Sequence, residues 1–258
     1  MTAGVAEEDE ADLTHEPSAT DRAYSAILNN ALTGSYRAGE RLTEARLTAE
    51  LALSRIPVRE ALKRLALEGV IDLHRHRGAT VRVMSRRDMA EFFQARGMLE
   101  SQSAAVAAGR IGESSCDEER ARLVAQMAQL RRWVGAEGCC DKEQYADHNQ
   151  QFHRLIVELS GNRLLLKMWG SLQLPVQRLK FFGRYRPADI RISIDDHSRI
   201  AEAILAGDSE SAARFARNHV NRVAAALYEL SDVEFDLVLN PGVRSSPVPQ
   251  TDDDSQPD

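Results

Sequence analysis

Three basic side chains at four-residue spacing, Arg55, Arg59 and Lys63, and three histidines far apart in the chain, His153, His197 and His219, are the residues whose types and placement could do chemistry. Spaced by four, the basic residues share one face of a helix. That face can enter a DNA major groove, where an arginine reads guanine through two parallel hydrogen bonds. The same stripe also fits a solvated amphipathic helix. Neutral imidazole is a common transition-metal ligand, and three of them can form a centre with a position left open. Asn149 precedes His153 by four and shares its face. Histidines with ordinary partners fit the same spacing.

The elements that would carry these residues show as periodicities. Ala23, Ile27, Ala31 and Leu32 share a helical face, and Gly34 and Gly39 interrupt the chain around Tyr36. A short helix is expected over 44–51. Ser54 then stands as an N-cap before a helix over 55–67 that stops at Gly69. Pro57 falls in its first turn, where a missing N–H costs little. Val58, Ala61, Leu62 and Leu65 form its apolar back, leaving Arg55, Arg59 and Lys63 on another face. After Gly69 the period becomes two. Val70, Ile71 and Leu73 make one strand and Thr80 to Val83 another, around the basic turn His74–Gly78.

Three helices followed by a β-hairpin describe a winged helix-turn-helix over 19–83. Residues 84–86 are expected as a linker. From 87 to 239 the period is helical, with helices expected near 87–109, 115–136, 141–159, 162–181, 188–206 and 208–231. Breaks fall at Gly112, Gly138, Gly161-Asn162, Pro187 and Gly207-Asp208. The fold class is therefore mainly α, an N-terminal winged helix-turn-helix with a C-terminal all-helical bundle.

Charge supports that division. The 258 residues carry a net charge of −6, unevenly spread. Residues 1–18 hold six acids and no Lys or Arg. Residues 19–83 hold eleven Lys and Arg against seven acids, so the positive charge collects in one block, as phosphate binding requires. The two ends, 1–18 and 240–258, are expected to be disordered tails. Neither a membrane-spanning run nor a secretory leader is read, and a cytoplasmic protein is expected. Cys116, Cys139 and Cys140 form neither a disulfide framework nor a zinc-ribbon pattern.

Particular runs then carry a resemblance. Gly39-Glu40-Arg41-Leu42, Leu47, Ser54 through Leu65, Glu68-Gly69-Val70-Ile71 and Arg77-Gly78-Ala79-Thr80-Val81 closely resemble the GntR family of bacterial regulators. The resemblance implies that Ser54, Arg55, Pro57 and Arg59 contact DNA from the recognition helix. It also implies that Arg77 and Gly78 form a wing tip along the minor groove. Relatives often carry a DNA-contacting arginine at the position of Ala45. Here the arginine is Arg46, about 100° round the helix, and a phosphate contact is the expectation for it. Ile56 stands where a threonine is common.

Asn149 through Leu155, Gly161-Asn162, Asp196-His197, Ala203-Ile204, Gly207-Asp208, Ala212 and His219 look like the FCD effector domain of the family's FadR-like branch. That resemblance implies a divalent metal held by Asn149, His153, His197 and His219, with zinc first and nickel or manganese as alternatives. Arg96 matches a pocket arginine suited to a carboxylate effector. A surface or helix-pairing arginine is the other reading of Arg96.

The expected function is a homodimeric regulator, a repressor of operator DNA, whose affinity responds to a small organic acid. An apolar acyl ligand without metal is an alternative effector. A metal-dependent enzyme is a further alternative. It would need a general base beside the metal, for which Glu100 and Asp196 qualify only by type, and no known enzyme motif is present.

Overall fold

The computed structural model describes residues 16–74, 78–135, 142–172 and 187–243. Helix α1, Ala19–Thr33, is capped by Ser18, whose hydroxyl accepts from the Asp21 amide. It buries Ala23, Ile27, Ala31 and Leu32, the face its periodicity marks. Helix α2, Glu44–Leu51, is capped by Thr43 and leads into α3, Arg55–Leu67. The back of α3 is Val58, Ala61, Leu62 and Leu65, packed with Ile27, Leu47 and Val81 in one core.

The wing has three strands. β1 is Arg41–Leu42, β2 is Ile71–His74 and β3 is Gly78–Val81, in the antiparallel order β1-β3-β2. Leu42 faces Ala79 and Ile71 faces Val81. The sequence marked only a hairpin, because a two-residue strand has no period to read. Gly78 has φ +85°, and a Cβ there would lie 2.4 Å from the Leu42 carbonyl oxygen. Its glycine thus has a structural cause, the close approach of β1 to β3.

The helical part follows without a free linker. Met84 is buried, Ser85 caps the next helix by a reciprocal bond with Asp88, and Arg86 is already helical. The 84–86 linker is therefore one buried residue, one cap and a first turn. Helix α4, Arg86–Arg110, packs on α6, Lys142–Leu159, on α8, Pro187–Leu205, and most closely on α9, Ser209–Tyr228. Helix α5, Asp117–Gly135, follows a short 3-10 turn that buries the free Cys116. Helix α7 is Arg163–Ser171, capped by Asn162. Of the helix expected over 162–181, residues 173–181 lie outside the described residues, as do Cys139 and Cys140.

The helix expected over 208–231 is a single helix, and a further one that the sequence reading did not mark follows it. Helix α9 ends at Tyr228, and Ser231 and Glu234 cap a new helix α10, Asp232–Leu239, by exchanging bonds with each other's backbone. A Ser-x-x-Glu box starts a helix, and this one interrupts the apolar period. The fold also runs past 239. Asn240 is buried, and the Pro241 carbonyl accepts from the Ala38 amide. The boundary drawn at 240 therefore falls short of a segment that reaches back to the winged domain.

Candidate DNA-reading face and metal centre

Helix α3 turns Arg55, Ile56, Arg59 and Lys63 outward, and Pro57 is half-buried. Ser54 sits at the N-cap position with no capping bond from its side chain. Ile56 is 76% exposed, unusual for so large an apolar residue, at the start of the same helix. Arg59 is gripped from the neighbouring helix. Its Nε lies 2.9 Å from Glu44 Oε1 and its Nη2 2.8 Å from Glu44 Oε2. Lys63 pairs with Glu60 at 2.8 Å. Gly78 opens β3 at the wing, and Arg77 lies outside the described residues.

Arg46 is placed differently from the rest. Its guanidinium is 2.6 Å from both Glu40 and Glu50 and sits over the Tyr36 ring. Glu40 and Tyr36 tie α2 to the loop before β1. The expectation of a phosphate contact has to compete with them.

The second site forms where three helices meet. His153 comes from α6, His197 from α8 and His219 from α9, and all three are buried. One ligand atom from each lies within 4.8 Å of the others. Ring centroids are 5.0 Å apart for His153 and His197, 5.1 Å for His153 and His219, and 4.7 Å for His197 and His219. Phe152 stacks on His197 at 4.2 Å and limits its rotation.

Burial keeps the rings of His153 and His197 neutral. It pushes His153 down to about 4 and His197 well below its ordinary value. Neither ring nitrogen of His197 has a hydrogen-bond partner, and the same holds for Nε2 of His153. A buried ring nitrogen without a partner is costly. A divalent cation taking the neutral lone pairs would remove that cost, so the three histidines fit a metal.

Two buried carboxylates stand behind the histidines. Glu100 Oε2 is 2.8 Å from His153 Nδ1, and Glu100 Oε1 is 2.5 Å from Arg96 Nε. Burial alone would raise Glu100, but the Arg96 guanidinium and His153 together outweigh it and hold the carboxyl well below the usual range. Asp196 Oδ2 lies 3.2 Å from His219 Nδ1 and also accepts from Arg222. Burial would likewise raise Asp196, and the His219 and Arg222 bonds bring it down. Such carboxylates set the tautomer and orientation of metal-binding histidines. Sequence reasoning had assigned neither this role. The only local signal was the four-residue step from Arg96 to Glu100, since Asp196 adjoins His197 but bonds to His219.

Asn149, Arg96, His153, His219, Phe93 and Ser193 line one cavity of about 270 Å³, its mouth included. A neighbouring cavity of about 350 Å³ shares Ser193 and His219 and adds Asp196 and Arg222. The structure thus brings Arg96 and Asn149 to the histidines, with His197 behind them in the cluster. A guanidinium beside a neutral donor set can hold a small anion.

Two family models match this chain, one for the FCD domain over residues 91–222 and one described as bacterial regulatory proteins, gntR family, over residues 19–81. The HTH-type transcriptional repressor GlaR of Escherichia coli strain K12 is 28% identical over 205 residues, 76% of this chain and 90% of that protein. The gluconate operon transcriptional repressor of Bacillus licheniformis is 27% identical over 188 residues, 69% of this chain and 72% of that protein. The solved structure of E. coli McbR/YncC has a TM-score of 0.61 at 22% identity, covering 82% of this chain and 98% of that one, which speaks for the fold. No described helix is long and apolar enough to cross a membrane. The chain belongs to the gntR family of bacterial regulatory proteins, carries an FCD domain behind its winged helix-turn-helix, and is a transcriptional regulator rather than an enzyme.

Proposed function

We propose that this chain is a homodimeric repressor whose hold on operator DNA is set by a small carboxylate bound beside a metal in the helical domain. The observation that carries this reading is the meeting of Arg96, Asn149, His153 and His219 around one cavity. Asn149, His153, His197 and His219 would hold the ion, zinc first and nickel or manganese next, by their neutral donors. When bound, the ion supplies a positive centre that attracts an anionic ligand. Arg96, steadied by Glu100, points a guanidinium at the same space. The cavity's lining by Arg96, Asn149 and two histidines favours a small polar acid over an apolar thioester.

On the DNA side α3 enters the major groove, with Arg55, Arg59, Lys63, Ser54 and Pro57 at the duplex and Arg77 and Gly78 along the minor groove. Exposed Ile56 suits a thymine methyl group. Two copies place two such helices on a pseudo-palindrome. The effector must bind the DNA-competent arrangement and the other with different affinity, or it shifts nothing. Relatives named as repressors support the sign of the effect.

The test begins with a duplex selected from a random pool by the purified protein. Its affinity is then measured with zinc present and with a panel of small hydroxy, keto and dicarboxylic acids. At least one acid should shift operator affinity in the wild type and fail to do so in Arg96→Ala. No shift with any acid would leave a regulator that does not sense this class of ligand.

A further inference from the structure

Arg59 and Glu44 are 15 positions apart, on different helices, yet their side chains meet as a two-bond fork. The fork uses Nε and one hydrogen of Nη2. A guanidinium has five N–H donors, so the outer edge, made of Nη1 and the remaining Nη2 hydrogen, stays free. That edge carries two parallel donors, the pattern that matches O6 and N7 of guanine. Glu44 therefore holds the plane of the guanidinium without occupying the edge that would read a base.

Glu44 is well placed for this. It lies in the first turn of α2, where the helix dipole favours an anion. The Arg59 bonds keep its carboxylate below the ordinary range, so it stays charged at physiological pH. Arg59 is 57% exposed and Glu44 31%, which leaves the arginine the more accessible of the two. An unrestrained arginine has many rotamers, some of which reach phosphates of any sequence. A fork from the neighbouring helix removes most of them. A carboxylate at a DNA-facing surface also repels phosphates, which lowers affinity for every sequence alike. Specificity is a difference of affinities, and a repulsive element can produce it.

We propose that Glu44 is a specificity-determining residue, one that orients Arg59 for a single base and weakens binding to all other DNA. This inference rests on the reading that Arg59 contacts a base. Glu44 itself is a positioning residue and touches no base in this scheme.

The experiment selects duplexes from a randomised pool with full-length wild type, E44Q, R59A and the E44Q/R59A double variant, and measures binding to random duplex across a salt series. For E44Q we expect tighter binding to random duplex, with a steeper salt dependence because one repelling charge is gone. Preference at one base position should fall by about tenfold, the size of one lost bidentate contact. It should be the same position that R59A flattens. The double variant should lose no more preference than R59A alone, which a general structural defect would not reproduce.

An E44Q profile identical to wild type, with R59A still flattening its position, would overturn the role of Glu44 and leave the reading of Arg59 intact. A wild-type profile for R59A would remove both. If E44Q loses all sequences evenly, or if the double variant loses preference beyond R59A, Glu44 supports the fold and the inference fails.

Discussion

The side chain of Asn240 bonds both main-chain groups of Met84, 156 positions earlier: its Oδ1 accepts from the Met84 amide at 2.7 Å and its Nδ2 donates to the Met84 carbonyl at 3.0 Å. Nδ2 also lies 2.8 Å from Asp236 Oδ1. Met84 lies between β3 and α4, so the residue that follows α10 pins the junction of the two domains. The apolar cluster around it contains Phe93 and Val220, which also line the Arg96 cavity. Asn240→Ala strands two buried main-chain groups and should cost about 2 kcal/mol. Asn240→Asp should cost more, because a carboxylate there faces both the Met84 carbonyl and Asp236. Urea denaturation checks both, and an Asp variant more stable than the Ala variant would show that this junction is wet.

His197 has neither ring nitrogen satisfied and stacks on Phe152. In the metal-free protein it is a liability, since a buried polar atom without a partner costs about 1–3 kcal/mol. His197→Leu should therefore stabilise the protein measured with a chelator, by about 1 kcal/mol, while zinc no longer raises its melting temperature. In the wild type zinc should raise the melting temperature by mass action on the folded state. A metal-free His197→Leu that melts lower than wild type would mean that His197 has partners of its own.

Arg46 between Glu40 and Glu50 gives a pH expectation. Bonds to Arg46 lower both carboxyls below their ordinary 4.5. A lowered carboxylate contributes stability that is fully present above its unfolded value and lost as pH falls through its folded one. Between pH 5.5 and 8 this contribution is flat, and it fades below about 4.5. The pairs are part-exposed and contribute at most about 1 kcal/mol. Arg46→Met should lower the melting temperature near neutrality and reduce the acid-induced drop. Its salt dependence of DNA binding should match wild type, because the guanidinium is occupied within the protein. A shallower salt slope would restore Arg46 to the phosphate contacts.

What the sequence revealed was local. The apolar faces of α1 and α3 depend on residues three and four apart, and they appear in the structure residue for residue. The gathering of His153, His197 and His219 was expected from resemblance, since spacing by itself does not say which helices meet. Partners distant in the chain were not legible. Glu44 and Arg59, Asp196 and His219, and Asn240 and Met84 are each chosen by tertiary packing. Strand β1 is two residues long and leaves no period. Helix α10 is only eight residues long, too short for a clear period, and the Ser231–Glu234 box is the local mark of its start.

Ala52 follows α2 with φ +52°, the only left-handed non-glycine among the described residues. An L residue there brings its Cβ toward the following carbonyl, at a cost of roughly 1–2 kcal/mol. The position is forced, since α2 must stop and turn so that α3 can present Arg55 and Arg59. The Ala52 amide still donates to the Thr48 carbonyl, and a glycine keeps that bond. Glycine brings its own cost, roughly 0.4–1 kcal/mol of added freedom in the unfolded chain. The difference leaves Ala52→Gly more stable than wild type by up to about 1.6 kcal/mol. Operator affinity should not change, because Ala52 belongs to the turn and not to the outward face of α3. Thermal melting and a binding isotherm on the same preparation check both halves. A variant that melts clearly below wild type would mean that the turn is not left-handed in solution, and the orientation of α3 derived from it would have to be redrawn.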